Sequence, residues 1–311
     1  MRMAMGMRIL RRASAPRETA VAIGSFDGVH RGHAAILSAV REQALDRGLA
    51  SGAVTFEPLP REFFRPLEAP PRLSSITERL ADFARLGLDL AFVERFDARF
   101  AALTPAGFEE RIRAKYRARW VVVGEDFRYG ARRGGDVDSL RRAGERLGFE
   151  VHAHPAVVID GERVSSTAIR EALAAGELGH AARLLGRPYA ICGRVVHGAK
   201  RGRDMGFPTA NVRLARPTTA LGGIFAVKCF GAATRGLEGV ASLGRNPAVT
   251  KDGAATLEAF LFDFQGDLYG RRLSIEFLKK LRDEAHFASL DELVAQIRRD
   301  CDEARAFFRA R

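Results

Sequence analysis

His30 and His33 lie in the run Val21-Ala22-Ile23-Gly24-Ser25-Phe26-Asp27-Gly28-Val29-His30-Arg31-Gly32-His33. Two imidazoles at that spacing, set among glycines, can donate to phosphoryl oxygens as negative charge develops on them, which is the chemistry of nucleotidyl transfer. Zinc ligation is the competing use, but no third ligand lies near and no cysteine pair has metal spacing. A second cluster is Arg163-Val164-Ser165-Ser166-Thr167-Ala168-Ile169-Arg170. There hydroxyls and amides of a helix start converge, and Arg163 and Arg170 can fork onto a phosphate; a plain N-cap with two solvated arginines is the alternative. In a third, Gly198, Gly202 and Gly206 recur every four residues among Lys200, Arg201 and Arg203, so backbone can approach phosphates under positive charge. Pro208 then leads into Thr209 and Asn211, whose side-chain oxygens can reach a Mg²⁺ bridging ATP phosphates. By composition alone this stretch also suits a purely structural hairpin. Glu258 alternates with Phe260 and Phe262, and a lone carboxylate among apolar neighbours is either an edge residue or a functional one. No GxxxxGK[ST] is present, which excludes a Walker-type phosphate site.

These residues need elements to hold them. Residues 21–23 read as a buried strand, and Ile36, Leu37, Val40 and Ala44 follow at helical spacing. His30 and His33 therefore fall where a strand passes into a helix N-terminus, with unpaired amides and a positive dipole end. Further strands are expected at 51–56, 90–93, 120–124 and within 149–158. Helices are expected at 74–86, with a capping-box spacing from Ser75 to Glu78, and at 136–147. This alternation predicts a Rossmann-like parallel sheet with helices on both faces and ligands beyond the strands' carboxyl ends. After Gly186-Arg187-Pro188-Tyr189 the texture changes. Strand candidates at 190–196, 224–230, 237–242, 257–263 and 271–277 follow without intervening helices, as in a small antiparallel barrel. A last helix is expected at about 290–308, capped by Ser289, with Leu290, Leu293, Val294 and Ile297 on its apolar stripe. The reading gives two domains, 1–185 and 186–311.

At 311 residues, 47% hydrophobic and 28% charged, the chain has the size and composition of two globular domains. Its net charge of +12 comes almost wholly from arginine, since only six residues are lysine. Long like-charge runs and interleaved aromatics are absent, small anionic substrates explain the basic balance as well as nucleic acid would, and charge alone does not decide between them. Cys192, Cys229 and Cys301 are few, odd in number and widely spaced, so neither a disulfide framework nor a metal site is indicated, and a reducing cytoplasm fits. No apolar run has membrane-spanning length. Residues 1–17 are arginine-rich and free of acids, as in transit peptides, yet Met7-Arg8-Ile9-Leu10 reads as a first strand and residues 1–6 as an upstream start.

GSFDGVHRGH resembles the HxGH signature of nucleotidyltransferases, in the variant of bacterial bifunctional riboflavin kinase/FAD synthetases, with Ser25 where Asn is usual. Residues 163–170 resemble the same family's ISSTxIR motif, and Gly124-Glu125-Asp126-Phe127-Arg128-Tyr129-Gly130 its GxDFxFG stretch. GFPTAN (206–211), Tyr269 with its neighbours, and Leu281-Arg282-Asp283-Glu284 resemble the riboflavin kinase signatures. The resemblance runs from about 7 to 308 and implies a six-stranded barrel with one C-terminal helix in the second domain. It implies nucleotide or phosphate contacts at Gly24, Phe26, Arg163, Ser166, Thr167 and Arg170 in the first domain, and at Gly198, Lys200, Gly202 and Gly206 in the second. His30 and His33 are then catalytic, Asp126, Arg282 and Glu284 touch flavin, Thr209 and Asn211 hold Mg²⁺, and Glu258 is the general base toward the ribityl hydroxyl. Leu59, Phe260 and Ala248 stand where the family often has His, His and Thr.

The expected function is phosphorylation of riboflavin to FMN, then adenylylation of FMN by ATP to FAD with release of pyrophosphate. The expected partners are riboflavin, FMN and ATP, with no nucleic acid or membrane, in a cytoplasmic monomer or weak homo-oligomer. Two readings compete: a chain with one activity decayed, which the three departures allow, and a flavin- or RNA-binding regulator that kept the folds. Intact His30, His33, Thr209, Asn211 and Glu258 favour the enzyme, because a binder needs neither base nor phosphate-directed imidazoles.

Overall fold

The computed structural model describes residues 6–198, 206–216, 218–245 and 255–311. The chain divides into two compact units, residues 2–70 with 76–165, and residues 71–75 with 166–311.

The first unit is built on a parallel sheet. In chain order its strands are β1 (Arg8–Leu10), β2 (Thr19–Ile23), β3 (Ala50–Glu57), β4 (Leu90–Arg95), β5 (Ala118–Gly124) and β6 (Glu150–His154). The spatial order is β1-β4-β3-β2-β5-β6, every pair parallel. Alternation of side chains sends Val21 and Ile23 of β2 to one face, with Val121 and Val123 of β5, and Ala20 and Ala22 to the other, with Trp120 and Val122. Both faces are therefore covered, one by α1 (Arg31–Asp46) and α3 (Ile76–Arg85), the other by α5 (Pro105–Ala114) and α6 (Val137–Leu147). Asp136 caps α6, its carboxylate accepting from the Ser139 amide, and Gly148 ends that helix at φ +77°. The short helices α2 (Pro60–Phe64) and α4 (Ala98–Ala101), and a hairpin of β7 (Val158–Ile159) and β8 (Glu162–Arg163), complete the unit.

Strand order reverses at β2, which has β3 on one side and β5 on the other. At such a switch point the connections leave in opposite directions and open a crevice beyond the carboxyl ends. The loop after β2 carries residues 24–30, and the loop after β5 carries 125–130.

In the second unit α7 (Ser166–Ala174) stops before Gly176, at φ +78°, and α8 (Leu178–Leu185) follows. A closed antiparallel barrel comes next: β9 (Ala190–Val196), β10 (Thr209–Arg213), β11 (Gly223–Phe230), β12 (Leu237–Arg245), β13 (Ala255–Leu261) and β14 (Arg272–Arg282), ordered β10-β13-β12-β11-β14-β9. Five of these six strands agree with the sequence reading; β10 lies inside the stretch read as a glycine-rich hairpin. Small and aliphatic residues such as Ala210, Leu257, Ala259 and Leu273 are buried along the barrel. The last helix, α9 (Leu290–Arg309), is capped by Ser289 as expected. It packs Cys301 and Ala304 against Ile224, Ala226 and Val240.

Candidate active sites

The first site begins at the β2–α1 junction. His30 is the N-cap of α1: its backbone is extended and its Nδ1 accepts from the His33 amide at 3.2 Å. An accepting Nδ1 puts the ring proton of neutral His30 on Nε2. The cap uses one amide of the first turn and leaves those of Arg31 and Gly32 at the open end of the helix. Gly32 is the space that this requires, because a Cβ there would stand 3.2 Å from the His30 ring. The two imidazoles stack with centroids 3.6 Å apart and planes 16° from parallel. Phe26, itself buried, meets His33 edge-on at 5.2 Å and Phe83 at 5.4 Å. Its ring backs His33 from the core. Gly24 lies against that same ring, with its amide donating to Val54 O at 3.1 Å.

Desolvation holds the His33 pKa well below the usual imidazole value, and the nearby charges of His30 and Arg79 act in the same direction. Its Nδ1 is buried and has no hydrogen-bond partner among the described residues. A neutral imidazole with an orphaned nitrogen is costly in a purely structural role and is common where a substrate completes the set.

The loops after β2 and β5 border one cavity of about 1130 Å³. Gly24 and Ser25 are at its wall, with Phe56, Phe64, Phe96, Phe100, Phe108 and Phe127 around it and Arg61, Arg132 and Arg133 among the polar lining. Asp126 is also in the lining, and its carboxylate accepts from Arg163 Nη2 at 3.0 Å. Two residues expected to serve flavin and phosphate separately are thus paired with each other. Ser166 and Thr167 open α7 in the second compact unit, and Arg170 Nε donates to Pro71 O at 2.7 Å.

The second site is a row across the barrel. Register places Val196 beside Asn211, Asn211 beside Glu258, Glu258 beside Ser242, Ser242 beside Ile224 and Ile224 beside Arg282. All six border one cavity of about 760 Å³ between the barrel wall and residues 284–293. Glu258 accepts from Thr209 Oγ1 at 3.2 Å. Asn211 packs over Gly198, where a Cβ would overlap its amide. Thr209 lines this cavity and also a second one of about 380 Å³, bordered by Pro208, Phe264 and residues 266–269. Thr209 therefore borders both spaces, with its hydroxyl on Glu258. Phe260 packs edge-on against Phe207 at 5.4 Å, so the position where the family often has His belongs to an aromatic floor.

Arg282 borders the cavity with its guanidinium already engaged. Nε donates to Asp300 Oδ1 at 2.9 Å and Nη2 to Oδ2 at 2.8 Å, while Gln296 donates to the same carboxylate. This bidentate pair, with Asp300 buried, clasps α9 to β14. Glu284 is exposed on the cavity rim and packs on Gly244, where no Cβ could fit. Gly206 adopts φ +82°. Lys200, Gly202 and Ala248 lie outside the described residues.

A threonine hydroxyl and an asparagine carbonyl are hard, neutral oxygen donors, and such donors suit Mg²⁺ when substrate phosphates supply the charge. Among the described residues no group of three His, Cys, Asp or Glu could hold a metal ion.

Comparison with known proteins assigns a family model to each part of the chain. The FAD synthetase family model matches residues 12–168 and the riboflavin kinase model residues 185–308. The bifunctional riboflavin kinase/FMN adenylyltransferase of Escherichia coli K12 is 46% identical over 298 residues, spanning 95% of each chain. The chain belongs to the bifunctional riboflavin kinase/FMN adenylyltransferase family. The Pseudomonas fluorescens member is 47% identical over 285 residues, 91% of each chain. A solved structure named as a macrolide-efflux protein from Streptococcus pneumoniae superposes with a TM-score of 0.78 at 30% identity, over 94% of this chain and 97% of that one. Among the described residues here, no helix is long and apolar enough to cross a membrane.

Several residues of a member of this family were not singled out by sequence. The phenylalanines of the first cavity come from separate elements, and only their convergence makes a flat apolar slot. Asp300 carries no local motif. Arg79, completely buried beside the β2–α1 loop, reads in sequence as one more arginine on an amphipathic helix.

Proposed function

We propose that this chain makes FAD from riboflavin in two ATP-dependent steps, each at its own site. The carrying observation is that Glu258 shares one cavity wall with Asn211 and a hydrogen bond with Thr209, while the stacked His30–His33 pair stands at the switch point of a separate sheet.

In the first step riboflavin occupies the 760 Å³ cavity, and the ATP phosphates approach Thr209 from the 380 Å³ side. Glu258 takes the proton of the terminal ribityl hydroxyl as that oxygen bonds to the γ-phosphorus. The bond from γ-phosphorus to the bridging oxygen breaks, and ADP leaves. Thr209 and Asn211 hold Mg²⁺, which when bound offsets the charge on the phosphates. The Thr209 hydroxyl also orients the Glu258 carboxylate. Clasped to Asp300, Arg282 keeps α9 over the flavin.

In the second step the isoalloxazine ring of FMN lies among the phenylalanines of the 1130 Å³ cavity, and arginines on its wall offset the phosphate charge. An oxygen of the FMN phosphate attacks the α-phosphorus of ATP and pyrophosphate departs. His30 and His33 donate to the α-phosphoryl oxygens, together with the open amides of the α1 N-terminus, and Arg163 serves the departing phosphates. The domains assigned to the two steps are 1–185 and 186–311, in the cytoplasm.

The test is incubation of the pure protein with riboflavin, ATP and Mg²⁺, with flavins resolved by chromatography. FMN should appear and then give way to FAD. Flavin that binds without forming product would overturn the proposal.

A further inference from the structure

We propose that Arg79 is a positioning residue of the adenylyl-transfer site, holding the β2–α1 loop in the shape that presents His30 and His33; the inference rests on the adenylylation reading above. The loop is under strain. Phe26 and Val29 both adopt positive φ, +51° and +40°, a region that costs a non-glycine residue about 1–3 kcal/mol and is hardest on a β-branched one. Such a conformation persists only where neighbouring contacts over-determine it.

Arg79 supplies them from α3. Its Nη1 donates to Ser25 O at 2.9 Å, to Thr55 Oγ1 at 2.8 Å and to Phe56 O at 3.2 Å, and Nη2 pairs with Glu57 Oε2 at 2.8 Å. Thr55 Oγ1 in turn donates to the same Ser25 carbonyl at 3.1 Å. One carbonyl immediately ahead of Phe26 is thus tied twice, by a guanidinium and by a hydroxyl that the guanidinium orients. The fork also joins the loop to the end of β3, so the His30 cap is referenced to the sheet. A fully buried arginine is expensive to place, and apolar side chains are less costly substitutes in a core. Its placement against a strained loop beside two imidazoles is what a positioning role requires. The same charge adds to the field that disfavours protonation of His33.

The test uses Arg79→Lys and Thr55→Val in the full chain, with FAD formation from FMN and FMN formation from riboflavin measured on each preparation. A displacement of the loop by about 1 Å should lower kcat of adenylylation by roughly tenfold to hundredfold. KM for FMN and ATP should stay within about twofold, since the loss concerns geometry at the reacting phosphate and not ground-state binding. Riboflavin phosphorylation should be unchanged. The double variant should fall clearly less than the product of the two single effects, because both act through the Ser25 carbonyl. Unchanged kcat in either folded variant, KM rising at constant kcat, or both activities falling in parallel would each overturn the role. If Arg79→Lys does not fold, Thr55→Val decides alone by the same criteria. A parent that makes no FAD from FMN overturns the functional reading and this role with it. A parent that makes FAD, with variants unimpaired, overturns this role alone.

Discussion

Replacement of Glu258 by Gln separates shape from basicity in the kinase site. Glu258 is half-buried on the cavity wall, with Asn211 and Ser242 beside it in register and one hydrogen bond from Thr209 at 3.2 Å. Glutamine keeps the volume and an oxygen that can accept from Thr209, so the change in stability should stay within about 1 kcal/mol. The lost function is proton acceptance, which ordinarily contributes about 10²–10⁴ in rate, or roughly 2.7–5.4 kcal/mol of barrier. Initial rates of FMN formation at saturating riboflavin and ATP would show it, with quenching of flavin fluorescence as the control for binding. Binding should persist while turnover collapses, and adenylylation of supplied FMN should proceed as in the parent. Undiminished FMN formation would refute the assignment, meaning that the base lies elsewhere or that transfer is loose enough to need none.

His33→Ala should cut adenylylation by about 10²–10³ while riboflavin phosphorylation continues, as separate time courses from FMN and from riboflavin would show. The depressed His33 pKa also ties it to stability. The unfolded chain takes up a proton near the ordinary imidazole pKa of 6.5 before the folded one does, so this contribution is present above that pH and is lost as pH falls below it. Denaturant titrations should therefore show a steeper loss on acidification from about pH 7 to 5 in the parent than in His33→Ala. The domain assignment can be read from truncations. Chains beginning at 166 and at 186 should both phosphorylate riboflavin and make no FAD, but the shorter one lacks the helix α8 that packs on β14 and should melt at lower temperature.

Much of this was legible in sequence where a local rule coincides with the fold. The helical patterns placed α6 and α9 nearly to the residue and located β2 and α1 on either side of the histidine motif, and Asp136 and Ser289 cap their helices as their chemistry suggests. Strand β10 escaped because its alternation of Thr209, Asn211 and Arg213 with Ala210 and Val212 is short and follows glycine and proline. The compact units part between Ser165 and Ser166, whereas the composition shift lies near 186, because α7 and α8 look like sheet-covering helices in sequence but α7 packs on α8 and α8 on β14. The histidine pair, Thr209, Asn211 and Glu258 were visible because their motifs are contiguous. Arg79, Asp300 and the phenylalanine slot were not, since each acquires its meaning from residues distant in the chain. Arg163, Asp126 and Arg282 were named in sequence for separate roles, but the pairings Arg163–Asp126 and Arg282–Asp300 were not legible there.

The central claim is two chemically distinct transfers at two sites of one chain, and the fate of isotopic label from ATP tests it most directly. Starting from riboflavin, label in the γ-phosphate should enter FMN and remain in FAD, while label in the α-phosphate should enter FAD alone. Starting from FMN, only the α-label should appear in FAD. Entry of γ-label into FAD made from unlabelled FMN, or FAD free of α-label, would contradict the account.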